Sequence, residues 1–424
     1  MKHRTRFSQT LMWTALICSC ALLDTQLLAA EPVPGQLVTD PDNPAWLTRH
    51  GGGTYFLAGP GDPEDFLYRG ERNPDGTRNG DQEAIIQKLS ATGANSIYFQ
   101  AVRSHGGDGD NTHNPFLQND PKKGLNPAVL DQWQSWFDRM DANDITLFFF
   151  VYDDSSRIWD TGDSVSDAES EFVKALVNRF KNYRNLIWVI AEEYAEAYSA
   201  ARIEALARIV KETDSYERPV AVHKNSGLSF DEFSRSPYID QFAIQYNVDN
   251  PRRLNSGINE AWLSSRGRYN LNLSEADAWG LGKGARDKAW ASAMGGAYVM
   301  AYQMDIASTP LSDLEDLGRL RTFMEMTRFK DMSPDNTLAS GDSEYVLAKP
   351  GESYIVYGSR RVSRLGLTRM ELGHYTMLWF DPTTGQTSKR ELTVESPGKS
   401  HWRKPESFGE EAAVYILRKS WAAE

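Results

Sequence analysis

Two glutamates that each follow a short apolar run are the residues of this sequence best suited to chemistry. Glu193 comes after the run 186–191 and the intervening Glu192, and Glu275 comes 82 positions later, after the run 269–274. One carboxyl group can protonate a leaving oxygen while a second, about 5 Å away, attacks a carbon, which is what retaining cleavage of a glycosidic bond requires. A single Glu at a strand end is more often a surface residue, so the hypothesis depends on a fold that brings both together.

The elements that would position these glutamates are eight apolar runs with helical stretches between them. Each run is short enough for a buried strand, and apolar residues recur with helical period in the segments 167–180 and 200–213. Eight β-then-α units predict a closed (β/α)8 TIM barrel, in which all strand ends meet at one face. An open doubly wound sheet is the rival, but it rarely needs eight regular units. The runs lie at 54–58, 95–100, 145–151, 186–191, 218–222, 241–246, 269–274 and 297–302.

Counted along this barrel, Glu193 and Glu275 end strands four and seven, and other strand ends supply polar side chains for a pocket. Arg103, His105 and Lys224 together would suit a sulfate or carboxylate, so the predicted carbohydrate partner includes anionic glycans. His223 is as well explained by a structural role as by substrate contact. The predicted substrate-binding residues are Glu192, Arg103, His105, Asp153, His223, Tyr246 and Tyr302.

Beyond residue 331 the pattern changes to short strands separated by turn signals, at 345–348, 354–357, 375–380 and 413–417. This indicates a small all-β sandwich. The predicted organisation is therefore a catalytic barrel over 31–333, with an irregular N-terminal segment, and a C-terminal β-sandwich domain over 334–424.

Residues 1–30 have the pattern of a secretory signal peptide: basic residues first, then an apolar stretch over 11–23, then a small-residue exit. That stretch is shorter than the roughly 20 residues that span a membrane. The leader predicts a periplasmic or secreted protein with no integral membrane segment after processing. Both cysteines, Cys18 and Cys20, lie in the leader, so the mature chain has no disulfide and no cysteine metal site; lipidation at Cys20 is the alternative.

The formal net charge of −12 becomes about −14 once the leader is removed, and such a field repels nucleic acid. We predict no nucleic-acid partner, no cofactor and no metal.

The sequence around the two glutamates resembles the clan A glycoside hydrolases, which are retaining (β/α)8 enzymes. Their acid/base Glu ends strand four in a Trp-x-x-x-Asn-Glu pattern, which Trp188 to Glu193 matches, and their nucleophile ends strand seven, which Ser274-Glu275 matches. In that clan a strand-six Tyr often hydrogen-bonds the nucleophile, which implies this role for Tyr246. Glu192 departs from the pattern, because the clan has Asn there to bond the 2-hydroxyl of the substrate. Either the sugar differs at that position or Glu192 itself is the acid.

The layout more closely resembles the apiosidase-like bacterial hydrolases, which pair such a barrel with a C-terminal β-domain of the collagen-binding type. This resemblance covers roughly residues 45–420. It implies an exported retaining glycoside hydrolase that cleaves a polysaccharide or oligosaccharide by double displacement. Two alternatives stay open: a carbohydrate-binding barrel that has lost catalysis, and a metal-dependent hydrolase that uses Asp153, Asp154 and His223.

Overall fold

The computed structural model describes residues 31–61, 65–159, 161–276, 279–302 and 304–419. The predicted signal peptide and Cys20 lie outside these ranges, and the side chain of Tyr302 is also not described. Within the described part, no helix is both long and apolar enough to cross a membrane.

Eight parallel strands form one sheet, with helices packed around it, as the predicted TIM barrel requires. The strands are β1 (Ala58–Gly61), β2 (Ser96–Val102), β3 (Thr146–Tyr152), β4 (Leu186–Ala191), β5 (Val220–Lys224), β6 (Gln241–Tyr246), β7 (Asn270–Ala276) and β8 (Tyr298–Tyr302). The α-helices are α1 (Gln82–Ser90), α2 (Pro127–Ala142), α3 (Asp167–Phe180), α4 (Ala200–Thr213), α5 (Pro251–Ser265), α6 (Gly282–Ala293) and α7 (Leu311–Glu325). Short 3-10 helices lie at Phe66–Tyr68, Leu117–Asn119, Pro121–Lys123, Tyr194–Glu196, Phe329–Asp331 and Asn336–Leu338.

The barrel closes between β1 and β2 through side chains as well as backbone. The amide of Asn95 donates to the carbonyl of Ala58 at 3.2 Å, and its side-chain oxygen accepts from the Ala58 amide at 2.9 Å. Gly59 lies so close to β2 that a Cβ atom would approach the Ser96 hydroxyl oxygen to 2.3 Å. A glycine is required there because the two backbones approach closely.

Two sequence-based expectations differ from the structure. The connection between β5 and β6 contains no α-helix: the described segment 225–240 consists of turns and bends. The first strand begins at Ala58 and not at Thr54; the buried run 55–57 leads into it. The eight-stranded barrel itself is confirmed. A connection without a helix can still join the neighbouring strands β5 and β6.

An antiparallel pair, Leu37–Thr39 with Leu47–Arg49, covers the amino-terminal end of the barrel. The amide of Leu47 donates to the hydroxyl of Tyr298 at the start of β8, at 2.6 Å. Trp46, fully buried, packs edge-on against the rings of Tyr298 and Phe329. The pocket is therefore left at the opposite end, where the strands terminate.

The C-terminal part consists of two antiparallel sheets, consistent with the predicted β-domain. The strands are β9 (Ser333–Pro334), β10 (Ala339–Gly341), β11 (Tyr345–Lys349), β12 (Ser353–Gly358), β13 (Arg364–Met370), β14 (Gly373–Phe380), β15 (Thr387–Val394), β16 (Gly398–Arg403) and β17 (Ala412–Arg418). In the larger sheet the strand order is β9-β11-β12-β17-β14-β15, and in the smaller it is β10-β13-β16.

The larger sheet packs on helices α6 and α7 of the barrel. Trp290 of α6 stacks on Tyr357 of β12 with ring centroids 4.5 Å apart, and Phe323 of α7 lies 5.0 Å from Phe380. These residues belong to the same apolar cluster as the barrel core. The two parts therefore share a continuous hydrophobic interior.

Candidate active site

The backbone at the end of β4 turns both candidate acids toward the pocket. The amide of Glu192 still donates to the carbonyl of Tyr152 on β3, at 3.0 Å. Glu193, the next residue, has a left-handed backbone with φ 31° and ψ 47°. The alternation of side chains between two faces holds only along an extended strand. Since the strand has ended, Glu192 and Glu193 need not point in opposite directions.

Glu192 is the buried member of the pair, with 3% of its surface exposed. Its carboxyl oxygen lies 3.1 Å from Nδ1 of His223. Burial raises the pKa of Glu192 well above its usual range, and the negative charges of Asp153, Glu275 and Asp154 raise it further. Glu192 therefore keeps its proton to a higher pH than an ordinary glutamate.

His223 connects Glu192 to the second catalytic candidate. Burial lowers the pKa of His223 to about 4, so the ring is neutral at pH 7. The backbone amide of Glu193 donates to Nδ1 at 3.2 Å, which makes Nδ1 an acceptor and places the ring proton on Nε2. That nitrogen lies 4.0 Å from the carboxylate of Glu275. The imidazole thus presents its N–H toward the strand-seven carboxylate.

The raised pKa of Glu192 matters because the clan A enzymes have Asn at this position. An accepting Nδ1 beside the Glu192 carboxyl is favourable when that carboxyl is protonated and can donate. A protonated carboxyl has one hydroxyl donor and one carbonyl acceptor, as an Asn amide has a donor and an acceptor. The hydroxyl donor is directed at Nδ1 of His223, so Glu192 has an acceptor oxygen left for a sugar hydroxyl but no donor, unlike Asn at this position.

Glu193 is half-buried and lies closer to solvent than Glu192. Burial raises its pKa to about 9, with further contributions from the charge of Glu192 and a hydrogen bond with Glu196. Glu275 raises it as well, which places the strand-four and strand-seven carboxyls within electrostatic reach of each other. A carboxyl group that holds its proton near neutral pH is suited to be a general acid.

Asp153, at the end of β3, forms the wall of the pocket beside Glu192. Its side chain is fully buried, and one oxygen accepts from the Arg103 guanidinium at 3.3 Å and from the Asp108 amide at 3.0 Å. Burial raises the pKa of Asp153 to about 7 and that of Asp154 to about 6. The structure thus brings Arg103 and Asp153 together with the catalytic candidates.

Two of the three basic residues expected to select an anionic substrate, Arg103 and Lys224, are paired with carboxylates. Arg103 is paired with Asp153, and the ammonium of Lys224 lies 2.6 Å from Glu232. His105 is exposed on the loop after β2, has a φ of 63°, and bonds the hydroxyl of Ser104. The preference for an anionic sugar in this pocket therefore remains a prediction, since two of the residues that suggested it are paired with carboxylates.

The prediction for Tyr246 is corrected by its packing. A Cβ atom on Gly257 of α5 would approach the Tyr246 ring to 2.5 Å, so the ring lies on the helix and not over Glu275. Gln245, one residue earlier, is buried and pairs with Glu275 in the β6–β7 register, where the ladder is irregular. A hydrogen bond from Gln245 lowers the pKa of Glu193.

Sequence reasoning therefore missed Gln245, and it also missed Tyr98 on β2. The hydroxyl of Tyr98 bonds Glu192 and lowers its pKa. A polar or hydroxyl side chain within an otherwise apolar strand was the available signal for both. The expected role of Tyr302 concerns a side chain outside the described residues.

Two overlapping sets of donors could hold a divalent cation. Glu192, His223 and Glu275 form one set, and Asp153, Asp154 and Glu192 form the other; within each set the donor atoms lie within 4.8 Å of one another. Carboxylate oxygens are ligands for hard cations, and an imidazole suits zinc. The metal-dependent hydrolase predicted from the sequence used Asp153, Asp154 and His223, and the structure divides these residues between the two sets.

Known proteins resemble this chain in its fold and over much of its barrel sequence. A protein from Bacteroides vulgatus ATCC 8482 described as a candidate glycoside hydrolase has a TM-score of 0.69 and 16% identity, over 91% of this chain and 82% of its own. A structure described as a glycoside hydrolase has a TM-score of 0.66 and 14% identity, over 92% and 99%. A glycoside hydrolase family 5 protein from the same Bacteroides strain has a TM-score of 0.67 and 12% identity, over 91% and 93%. No curated protein sequence matched this chain.

Residues 77–276 match the family model of the apiosidase-like catalytic domain. The match runs from the segment before α1 to the end of β7 and includes both Glu193 and Glu275. The predicted resemblance to the apiosidase-like proteins is thereby confirmed over residues 77–276 of the barrel.

Proposed function

We propose that this chain is an exported glycoside hydrolase that cleaves a polysaccharide or oligosaccharide with retention of configuration. The observation that carries the proposal is the meeting of Glu193 and Glu275 around His223 at the carboxyl ends of β4 and β7. The family model and the glycoside hydrolases of similar fold support this class of reaction. Export is supported by the signal-peptide pattern of residues 1–30.

In the proposed mechanism, protonated Glu193 donates its proton to the glycosidic oxygen while Glu275 attacks the anomeric carbon. The leaving sugar departs, and a covalent glycosyl-enzyme remains on Glu275. Glu193, now ionised, takes a proton from water, and the resulting hydroxide releases the sugar with its original configuration. The neutral ring of His223 faces Glu275 with its Nε2, 4.0 Å away, and Glu192 accepts a hydrogen bond from a sugar hydroxyl.

Two single variants test which neighbour is the acid. Glu193→Gln should abolish turnover of substrates with poor leaving groups but spare glycosylation by activated aryl glycosides, which need little protonation. Glu192→Gln should weaken both kinds of substrate to a similar degree. Steady-state kinetics on both substrate kinds makes the comparison. If Glu192→Gln alone shows the leaving-group dependence, the acid is Glu192.

The stereochemical outcome tests the double displacement separately. Proton NMR of the first sugar released from a glycan that the enzyme cleaves should show the anomer of the substrate. The opposite anomer would identify a single displacement, in which Glu275 activates water.

The metal-dependent alternative requires a bound ion for turnover. Dialysis against a chelator should leave the rate unchanged if the two-carboxyl mechanism operates. A rate that falls and returns with added Zn²⁺ or Ca²⁺ would favour the metal mechanism at the sets that share Glu192. A barrel that has lost catalysis would bind glycans and release no reducing ends.

A further inference from the structure

A cavity of about 1140 Å³ opens in the C-terminal β-domain, away from the barrel pocket. It lies where β13 and β16 of the smaller sheet meet β15 at the edge of the larger sheet. Its charged lining residues are Arg364, Arg390, Arg403, Lys404, Asp342 and Glu406.

Two of these arginines face each other across a strand pair. Arg364 on β13 and Arg403 on β16 are direct partners in the antiparallel register, and both are exposed. Like charges placed directly opposite destabilise a sheet. Among the ion pairs of the described residues, none involves Arg364, Arg403 or Arg390, and the charge of Asp342 acts on Arg364 without forming such a pair. Because an anion between the two guanidinium groups would remove this repulsion, the position is a candidate anion-binding site.

The remaining groups leave a positive surplus in the cavity. Arg390 donates to the backbone carbonyl of Arg403 at 3.1 Å, which holds its charged end beside the pair. Asp342 is occupied on one oxygen by the backbone amides of Ser363 and Arg364, at 2.8 and 2.9 Å. Those amides hold the pKa of Asp342 below its usual range, and the charges of Arg364 and His401 lower it further. Lys404 donates to two backbone carbonyls, and a carbonyl does not neutralise an ammonium.

We propose that this cavity is a second glycan-binding site, which takes the sulfate or carboxylate groups of an acidic polysaccharide. The planar fork of a guanidinium matches both oxyanions with two parallel hydrogen bonds. Three such forks around one opening suit a repeating anionic chain better than a single small ion.

The choice of a polysaccharide over another polyanion rests on the proposed glycoside hydrolase function. It also agrees with the distribution of charge, because residues 31–333 contain 31 Lys and Arg against 45 Asp and Glu. The acidic barrel repels a polyanion, so the C-terminal cavity is the place where such a chain can dock.

Affinity electrophoresis of the full chain tests the site, in gels that contain dextran sulfate, polygalacturonate or unsubstituted dextran. We expect retardation by the sulfated or the carboxylated polymer and none by dextran, and the two charged arms identify the preferred oxyanion. Added salt should weaken the retardation. Arg364→Gln should raise the dissociation constant on the order of tenfold, and the double change with Arg403→Gln should raise it further.

Arg369→Gln is the matched control, because Arg369 is an exposed arginine on the same strand that does not line the cavity. It should leave the retardation unchanged. The melting temperature of Arg364→Gln should stay the same or rise, since the change removes a like-charge pair. Equal retardation by dextran, or equal losses from Arg364→Gln and Arg369→Gln, would overturn the proposal.

Tighter binding to an oligonucleotide of similar charge would assign the cavity to another class of polyanion. This assay needs no turnover, so failure of the catalytic proposal would appear separately, as absence of cleavage in a protein that still binds.

Discussion

The barrel pocket and the C-terminal cavity handle charge in opposite ways. Around Glu192 the barrel buries several carboxyls, of which Asp153 is paired with Arg103, and burial raises their pKa values. The C-terminal domain contains 12 Lys and Arg and 12 Asp and Glu, but its cavity gathers three exposed arginines that take part in none of the ion pairs among the described residues. A buried charge is neutralised by taking a proton, whereas an exposed guanidinium keeps its charge and can meet an anion from solution.

The largest expected effect is on turnover, which should depend on the barrel pocket and not on the C-terminal cavity. Glu275→Ala should lower turnover on the order of a thousandfold or more, because no group remains to form the glycosyl-enzyme. Added azide should restore part of the rate and yield a glycosyl azide of inverted configuration. Kinetics and product NMR measure both. Arg403→Gln is the control and should turn over small neutral glycosides normally; near-normal turnover by Glu275→Ala would exclude Glu275 as the nucleophile.

A second prediction concerns how firmly the two regions are joined. The carboxylate of Glu411, 2% exposed, receives Arg286 of α6 at 2.6 Å and Lys283 at 3.2 Å. Glu411→Gln should lower the free energy of unfolding by about 2 kcal/mol, because it removes one of the two carboxylates that the largely buried Arg286 contacts, the other being Asp316. Urea unfolding followed by tryptophan fluorescence measures this.

The neighbouring residue Glu410 is exposed and provides the control. Glu410→Gln should cost almost nothing. Unfolding in two separate transitions, or equal stability of the two variants, would show that the β-domain folds independently of the barrel despite their shared core.

The smallest expected effect is a shift in the pH dependence of kcat/KM. The side chain of Gln245 hydrogen-bonds Glu193 and lowers its pKa, so Gln245→Leu should raise that pKa. The alkaline limb of kcat/KM, which Glu193 sets, should therefore move up by about one pH unit. A pH–rate profile of the variant checks the shift, with Glu260→Gln on the exposed side of α5 as the control. An unmoved limb would mean that Glu193 does not set it.

The raised pKa of Glu193 also makes the stability of the folded protein depend on pH. An unfolded Glu193 ionises near its ordinary pKa of 4.5, whereas the folded protein holds the proton until about pH 9. The folded state therefore binds more protons than the unfolded state across this window. The free energy of unfolding should fall as the pH rises through it, and Glu193→Gln should flatten the dependence.

Much of the fold follows from local patterns in the sequence. The apolar runs predicted the eight barrel strands and four of the β-domain strands, because buried strands need continuous or alternating apolar residues. Five further strands of the β-domain were not predicted, and the three longest of them are Arg364–Met370, Thr387–Val394 and Gly398–Arg403. Their exposed positions carry Lys, Arg, Thr and Ser, so their composition resembles that of loops. The arginines of the C-terminal cavity lie on these same strands.

The sequence alone determined that Glu193 and Glu275 end strands four and seven, because strand order and strand ends are local properties of the chain. Tertiary structure alone decided that Gln245, not Tyr246, accompanies Glu275, since the irregular register between β6 and β7 shifts the alternation by one residue. It also decided the raised pKa of Glu192. That pKa is raised because burial and charges from β3 and β7 act on the carboxyl together, and distances through space are not encoded in the spacing of residues along one strand.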